Sequence, residues 1–139
     1  MNKTLITVGV IILLVVGWYL FRSAEDMASR TLVVQLEPQN NSGISGTATF
    51  TDTAGGAEVV FNLTGTPSGI AQPAHIHLNN CANIGGVKYP LTSPMNGNSV
   101  TMLNVGIDQI LAELPLSINV HKTSQEASVY VACGNIVAQ

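Results

Sequence analysis

Beyond residue 30, turn-forming residues recur about every 8–15 positions and cut the chain into short apolar or β-branched runs. Thr31–Leu36, Gly46–Thr51, Glu58–Leu63, Ala74–Leu78, Val100–Val105, Leu116–Val120 and Ala127–Ala132 are such runs. Asp52–Gly56 and Thr64–Gly69 supply turn chemistry between them. Ile107–Leu114 is the one stretch that suits a short helix, and Pro115 would end it. Strands and helices do not alternate, so a doubly wound α/β fold is excluded. The cadence predicts an all-β Greek-key sandwich or barrel.

The N-terminus obeys a different rule. Leu5–Phe21 is an apolar run broken only by Thr7, Gly9 and Gly17. Its 17 residues lie at the short end of what spans a bilayer core. Trp18 and Tyr19 at its far end suit the headgroup layer, and Lys3 and Arg22 flank it. The reading is one N-terminal transmembrane helix: residues 1–22 form a membrane anchor, 23–30 a polar stalk and 31–139 the β-domain. The alternative is a secretion signal, whose removal would leave a secreted domain. The run is longer than a signal's apolar core, and Arg22–Asp26 offers no small-x-small cleavage site.

Charge excludes one class of partner. Beyond Arg30 the domain carries two lysines, Lys88 and Lys122, against six carboxylates, a net charge of −4. Such a surface repels phosphate, so nucleic acid is not an expected partner.

The chain has three histidines. His75 and His77 stand at i and i+2 on a predicted strand, where side chains share a face, so both imidazoles can meet one ion. Alone, a His-x-His pair reads more readily as two exposed histidines on a solvent face than as a metal site. His121, at the end of the run Leu116–His121, changes that reading. If the two strands adjoin, three nitrogen donors converge, a set that suits copper or zinc. No Asp or Glu lies within several residues of His75 or His77, which favours an all-nitrogen site. Met27, Met95 and Met102 are too scattered to act as a thioether cluster.

Cys81 and Cys133 are the only cysteines. In an exported domain such a pair reads most simply as a disulfide, with copper-binding thiolates as the alternative, since Cys81 is four residues past His77. A bridge would close a loop of about 50 residues, worth roughly 4 kcal/mol in the loop-entropy model. It also implies an oxidising compartment, which puts the domain outside the cytoplasm, periplasmic or extracellular.

Ala74-His-Ile-His77, Cys81, Gly85-Gly86, Pro90, Asn119-Val-His121 and Ala132-Cys-Gly134, followed by Ile136 and the final Ala-Gln, together resemble the copper–zinc superoxide dismutase family. The resemblance covers most of residues 31–139. It implies one copper ion held by His75, His77 and His121, and an intrasubunit Cys81–Cys133 bridge. The Ala-His-Ile-His and Asn-Val-His segments are also similar to the chordin-type (CHRD) domain, a β-module without established catalysis.

Departures from the dismutase pattern narrow what the resemblance implies. The family's bridging histidine falls at Val87, and Tyr89–Asn98 contains neither the histidines nor the aspartate of a zinc site. Zinc is therefore not expected, and the chain is similar to the zinc-less, copper-only members of the family. The family's active-site arginine falls at Tyr130. Its charged loop is reduced to Lys122–Glu126, which leaves Lys122 and Lys88 as candidate anion contacts. Three functions follow as expectations: a membrane-anchored, extracytoplasmic copper protein that dismutates superoxide, a non-catalytic copper carrier, store or chaperone using the same site, or a chordin-type structural or adhesion module.

Overall fold

The computed structural model describes residues 9–18 and 30–139. Residues 9–18 form a helix, α1, whose apolar side chains from Val10 to Val16 are exposed. Among the described residues no helix is long and apolar enough to cross a membrane. The transmembrane helix predicted over 5–21 is thus not seen as such. Its two ends, and the stalk up to residue 29, lie outside the described residues.

Eight strands follow: β1 Thr31–Pro38, β2 Ser45–Thr53, β3 Gly56–Thr64, β4 Ala74–Leu78, β5 Val87–Leu91, β6 Asn98–Leu103, β7 Leu116–His121 and β8 Tyr130–Ile136. All pairings are antiparallel, in the order β5-β4-β7-β8-β1-β2-β3-β6. Two four-stranded halves meet where β1 pairs β8 over only Glu37↔Cys133 and Pro38↔Ala132. The outer edges approach beside Thr92, just past β5. Its amide N–H donates to Thr101 Oγ1 on β6, and its carbonyl accepts from Ser99 Oγ, both at 2.8 Å. The result is a nearly closed Greek-key barrel.

Period-two alternation builds the core. Leu32, Val34 and Leu36 on β1, Ala48 and Phe50 on β2, and Ala57, Val59, Phe61 and Leu63 on β3 turn inward. Ala74 and Ile76 on β4 and Leu116, Ile118 and Val120 on β7 face them from the other half. Helix α2, Ile107–Ala112, plugs one end with Ile107 and Ile110, and Asp52 Oδ1 accepts the N–H of Ile107 at 2.8 Å. The sequence placed this helix correctly but two residues too long, since Glu113 is its C-cap.

Two strands depart from the predicted runs. β5 carries Pro90, which argues against a strand. It forms an outer edge, however, where a missing N–H costs no ladder bond. β8 begins at Tyr130 rather than at residue 127, and extends through Gly134 and Asn135. Gly134 sits where β8 meets β1: a Cβ there would stand 2.2 Å from the Gln35 carbonyl oxygen. Only the tertiary contact gives this glycine its purpose.

The edge strand β5 is also tied to α2. Tyr89 Oη donates to Glu113 Oε2 at 2.7 Å, with Lys88 Nζ 3.4 Å from Glu113 Oε1. Burial, then the hydrogen bond and the charge of Glu113, pushes the Tyr89 phenol up to about 12 from 10.0. A raised folded-state value stabilises the fold fully below pH 10 and less as pH climbs through 12. Unfolding free energy measured from pH 9 to 12 should therefore fall, and Tyr89→Phe should flatten that decline. In the same assay at neutral pH, Gly134→Ala should cost roughly 2–3 kcal/mol by forcing β1 from β8.

Candidate metal centre

β4 lies between β5 and β7, and its register with β7 creates the site. Ala74↔Val120, His75↔Asn119, Ile76↔Ile118 and His77↔Ser117 are cross-strand partners. Ala74, Ile76, Ile118 and Val120 fill the core, so His75, His77, Ser117, Asn119 and His121 share the outer face. The three histidine rings lie with centroids 5.0, 5.5 and 5.8 Å apart. One ligating nitrogen from each lies within 4.8 Å of the others. Among the described residues this is the one cluster of histidine, cysteine or carboxylate groups able to hold a metal ion.

An outer sheet face is normally wet, yet all six residues of β7 are buried. Two segments cover it. The β4–β5 loop is pinned by the Cys81–Cys133 disulfide, with Cα atoms 6.0 Å apart, and by the Cys81 N–H donating to Asn135 Oδ1 at 2.7 Å. With the bridge formed, no free thiolate remains to bind copper. The turn after β7 closes the other side, with Lys122 N–H donating to the Val129 carbonyl at 2.8 Å. His77 and His121 are consequently only 5% and 6% exposed, and His75 is half-buried.

The cover also orients the histidines. His77 Nδ1–H donates to the Gly85 carbonyl at 2.9 Å, and His121 Nδ1–H to the Ala127 carbonyl. Each carbonyl accepts only, so each ring keeps its Nε2 lone pair for a ligand. Gly85 approaches closely because it lacks a side chain: a Cβ would stand 3.0 Å from both the Cβ and the carbonyl oxygen of Leu78. The two carbonyls carry no sequence signature and could not have been found by motif reading. Gly85 was visible only as part of a glycine pair.

Two observations test whether these residues fit a metal. His77 Nε2 is buried with no hydrogen-bond partner. His75 Nδ1 and His121 Nε2 are 3.0 Å apart, and with the His121 proton committed to Ala127, only a proton on His75 or a cation can sit between them. A metal ion would satisfy all three nitrogens at once, in place of that proton. The donor set of three imidazoles suits copper.

The positions where the dismutase pattern is lost sit around this triangle. Val87 is the cross-strand partner of His77 on β5, and the Tyr130 ring packs edge-on to His121 at 5.1 Å. Lys122 follows His121 but lies 2.7 Å from Glu126, and Lys88 is engaged with Glu113. Neither lysine offers an unpaired charge.

No protein-family model matches the chain, and no curated protein matches it. Among solved structures it is similar to a point mutant of Candida albicans superoxide dismutase 5. The two are 24% identical, with a TM-score of 0.56 over 79% of this chain and 90% of that chain. The fold is superoxide dismutase-like. None of the comparisons supports the chordin-type likeness.

Burial first, then the charge of His121 and His77, holds the His75 imidazole below its ordinary value of 6.5. A lowered folded-state value means that the unfolded chain takes up the proton first. Metal-free stability should therefore be steady above pH 6.5 and fall as pH drops below it. A steeper fall is expected for the copper-loaded chain, because binding requires unprotonated ligands. Thermal unfolding with and without copper between pH 5 and 8 measures both slopes.

Proposed function

We propose that the protein is a copper-binding, superoxide dismutase-like protein that works outside the cytoplasm. His75, His77 and His121 are its copper ligands, and superoxide is its substrate. The observation that carries this reading is the triangle of three oriented imidazole nitrogens on a dismutase-like barrel. A disulfide that closes the site supports an oxidising compartment. Copper bound there would supply one-electron exchange.

The chain's own residues set the conditions for that exchange. His77 and His121 are fixed by carbonyl bonds and shielded from water, so the half-buried His75 marks the side by which a small anion reaches the centre. Val87 offers no titratable nitrogen beside His77, so the protons that dismutation consumes come from water. Attraction of the anion is weak, because Lys122 and Lys88 are each offset by a carboxylate and the domain is net negative. This last observation favours a second reading, a copper carrier or store that binds at the same three histidines without turnover.

One set of measurements separates the two. In the full-length chain loaded with one equivalent of copper, superoxide decay followed by stopped flow should exceed that of a control protein carrying adventitious copper. His121→Ala should abolish the excess and weaken copper binding by more than the roughly 10–100-fold typical of losing an outer-shell partner. Tight, His121-dependent copper binding without accelerated decay would establish the carrier. Copper binding that ignores His121→Ala would overturn both.

A further inference from the structure

The sheet face that floors the three histidines carries one buried carboxamide. Asn119 pairs with His75 on β4 and with Cys133 on β8, and it stands two residues before His121 on the same face of β7. His77 is its diagonal neighbour across the β4–β7 ladder, a separation that long side chains bridge. Asn119 is therefore flanked by all three histidines and by the disulfide. It is 0% exposed, and neither its Oδ1 nor its Nδ2 has a hydrogen-bond partner.

A buried, unpartnered amide is costly, because no hydrogen bond offsets its loss of water. The other unpartnered buried atoms on this face are His77 Nε2 and Ser117 Oγ, and Ser117 is the cross-strand partner of His77. Four unsatisfied atoms thus belong to neighbouring register positions on one buried face of the β4–β7 ladder. In the rest of the described residues only Gln72 Oε1 shares that condition. An apolar residue at position 119 would have served the fold better, since β-branched side chains suit a buried strand. The two acceptors of that face, His77 Nε2 and Asn119 Oδ1, are the atoms a bound cation would partner.

Resting on the copper reading above, we propose that Asn119 Oδ1 is a fourth donor to the bound metal, selective for its oxidised state. Cu(I) is content with three imidazoles in a near-trigonal arrangement. Cu(II) prefers four donors and readily accepts a hard carbonyl oxygen. A neutral amide adds no charge to the site, so it favours Cu(II) over Cu(I) by ligation alone. Asn119 thereby sets the reduction potential of a centre that lacks the bridging imidazole, and it takes the position that water would otherwise fill.

The test uses the full-length chain and copper alone. Wild-type protein, Asn119→Leu (closest in shape, no donor) and Asn119→Asp (oxygen retained) are titrated with Cu(II) and Cu(I). Their Cu(II) electron paramagnetic resonance spectra are then compared. Asn119→Leu should lose about tenfold in Cu(II) affinity, the weight of one donor bond, while Cu(I) affinity holds; the potential then rises by about 59 mV. Asn119→Asp should keep Cu(II) affinity at or above wild type. If Asn119→Leu folds poorly, the wild type alone decides by pulsed resonance in D2O. A copper-bound water deuteron would overturn the proposal, and its absence from a four-donor spectrum would support it. Unchanged Cu(II) affinity and spectrum in Asn119→Leu would also overturn it, showing an amide satisfied by internal water, while leaving the copper site itself intact. Failure of the wild type to bind Cu(II) would overturn the site along with its floor.

Discussion

The antiparallel pairing of β4 with β7 is the constraint on which the rest depends. Those strands are separated in sequence by β5, β6 and α2, yet their register puts Ala74 against Val120 and His75 against Asn119. A slip of one residue would send His75 and His77 into the core and Ile76 into water. The apolar alternation of Ala74, Ile76, Ile118 and Val120 forbids that slip. The same hydrophobic pattern that closes the barrel therefore aims the histidines outward and brings them together.

An outward-facing site on a sheet would ordinarily be flooded. Here the covering segments convert it into a shielded one. The disulfide ties the β4–β5 loop down over β7, and the loop repays the constraint by presenting the Gly85 carbonyl to His77. The turn after β7 does the same for His121 through Ala127. Stability and histidine orientation share the same bonds, so loosening the cover would disturb the tautomers as well as the fold. Beneath it the side chains of His77, Ser117 and Asn119 keep buried polar atoms without protein partners.

The surroundings of the triangle temper its chemistry. Val87 and Tyr130 stand beside the histidines, where Val87 contributes no proton donor and Tyr130 no guiding cation. Each lysine near the site has a carboxylate partner, although exposed pairs of this kind are worth little and are screened by salt. A centre of this type depends on its ligand geometry more than on long-range attraction.

Much of this was legible in the residues alone. The cadence of turns and β-branched runs determined an all-β fold, because period-two burial leaves a strong local imprint. The i, i+2 spacing of His75 and His77 determined that they share a face, and the cysteine pair in an exported domain pointed to a bridge. The edge strand β5 was hidden by Pro90, and β8 was misplaced toward residue 127, because edge position and the close approach at Gly134 are properties of neighbours distant in sequence. The meeting of His121 with the other two histidines, the carbonyl bonds that set the tautomers of His77 and His121, and the burial of Asn119 were decided only by tertiary structure. Strand pairing and loop cover bring together groups that no local pattern connects.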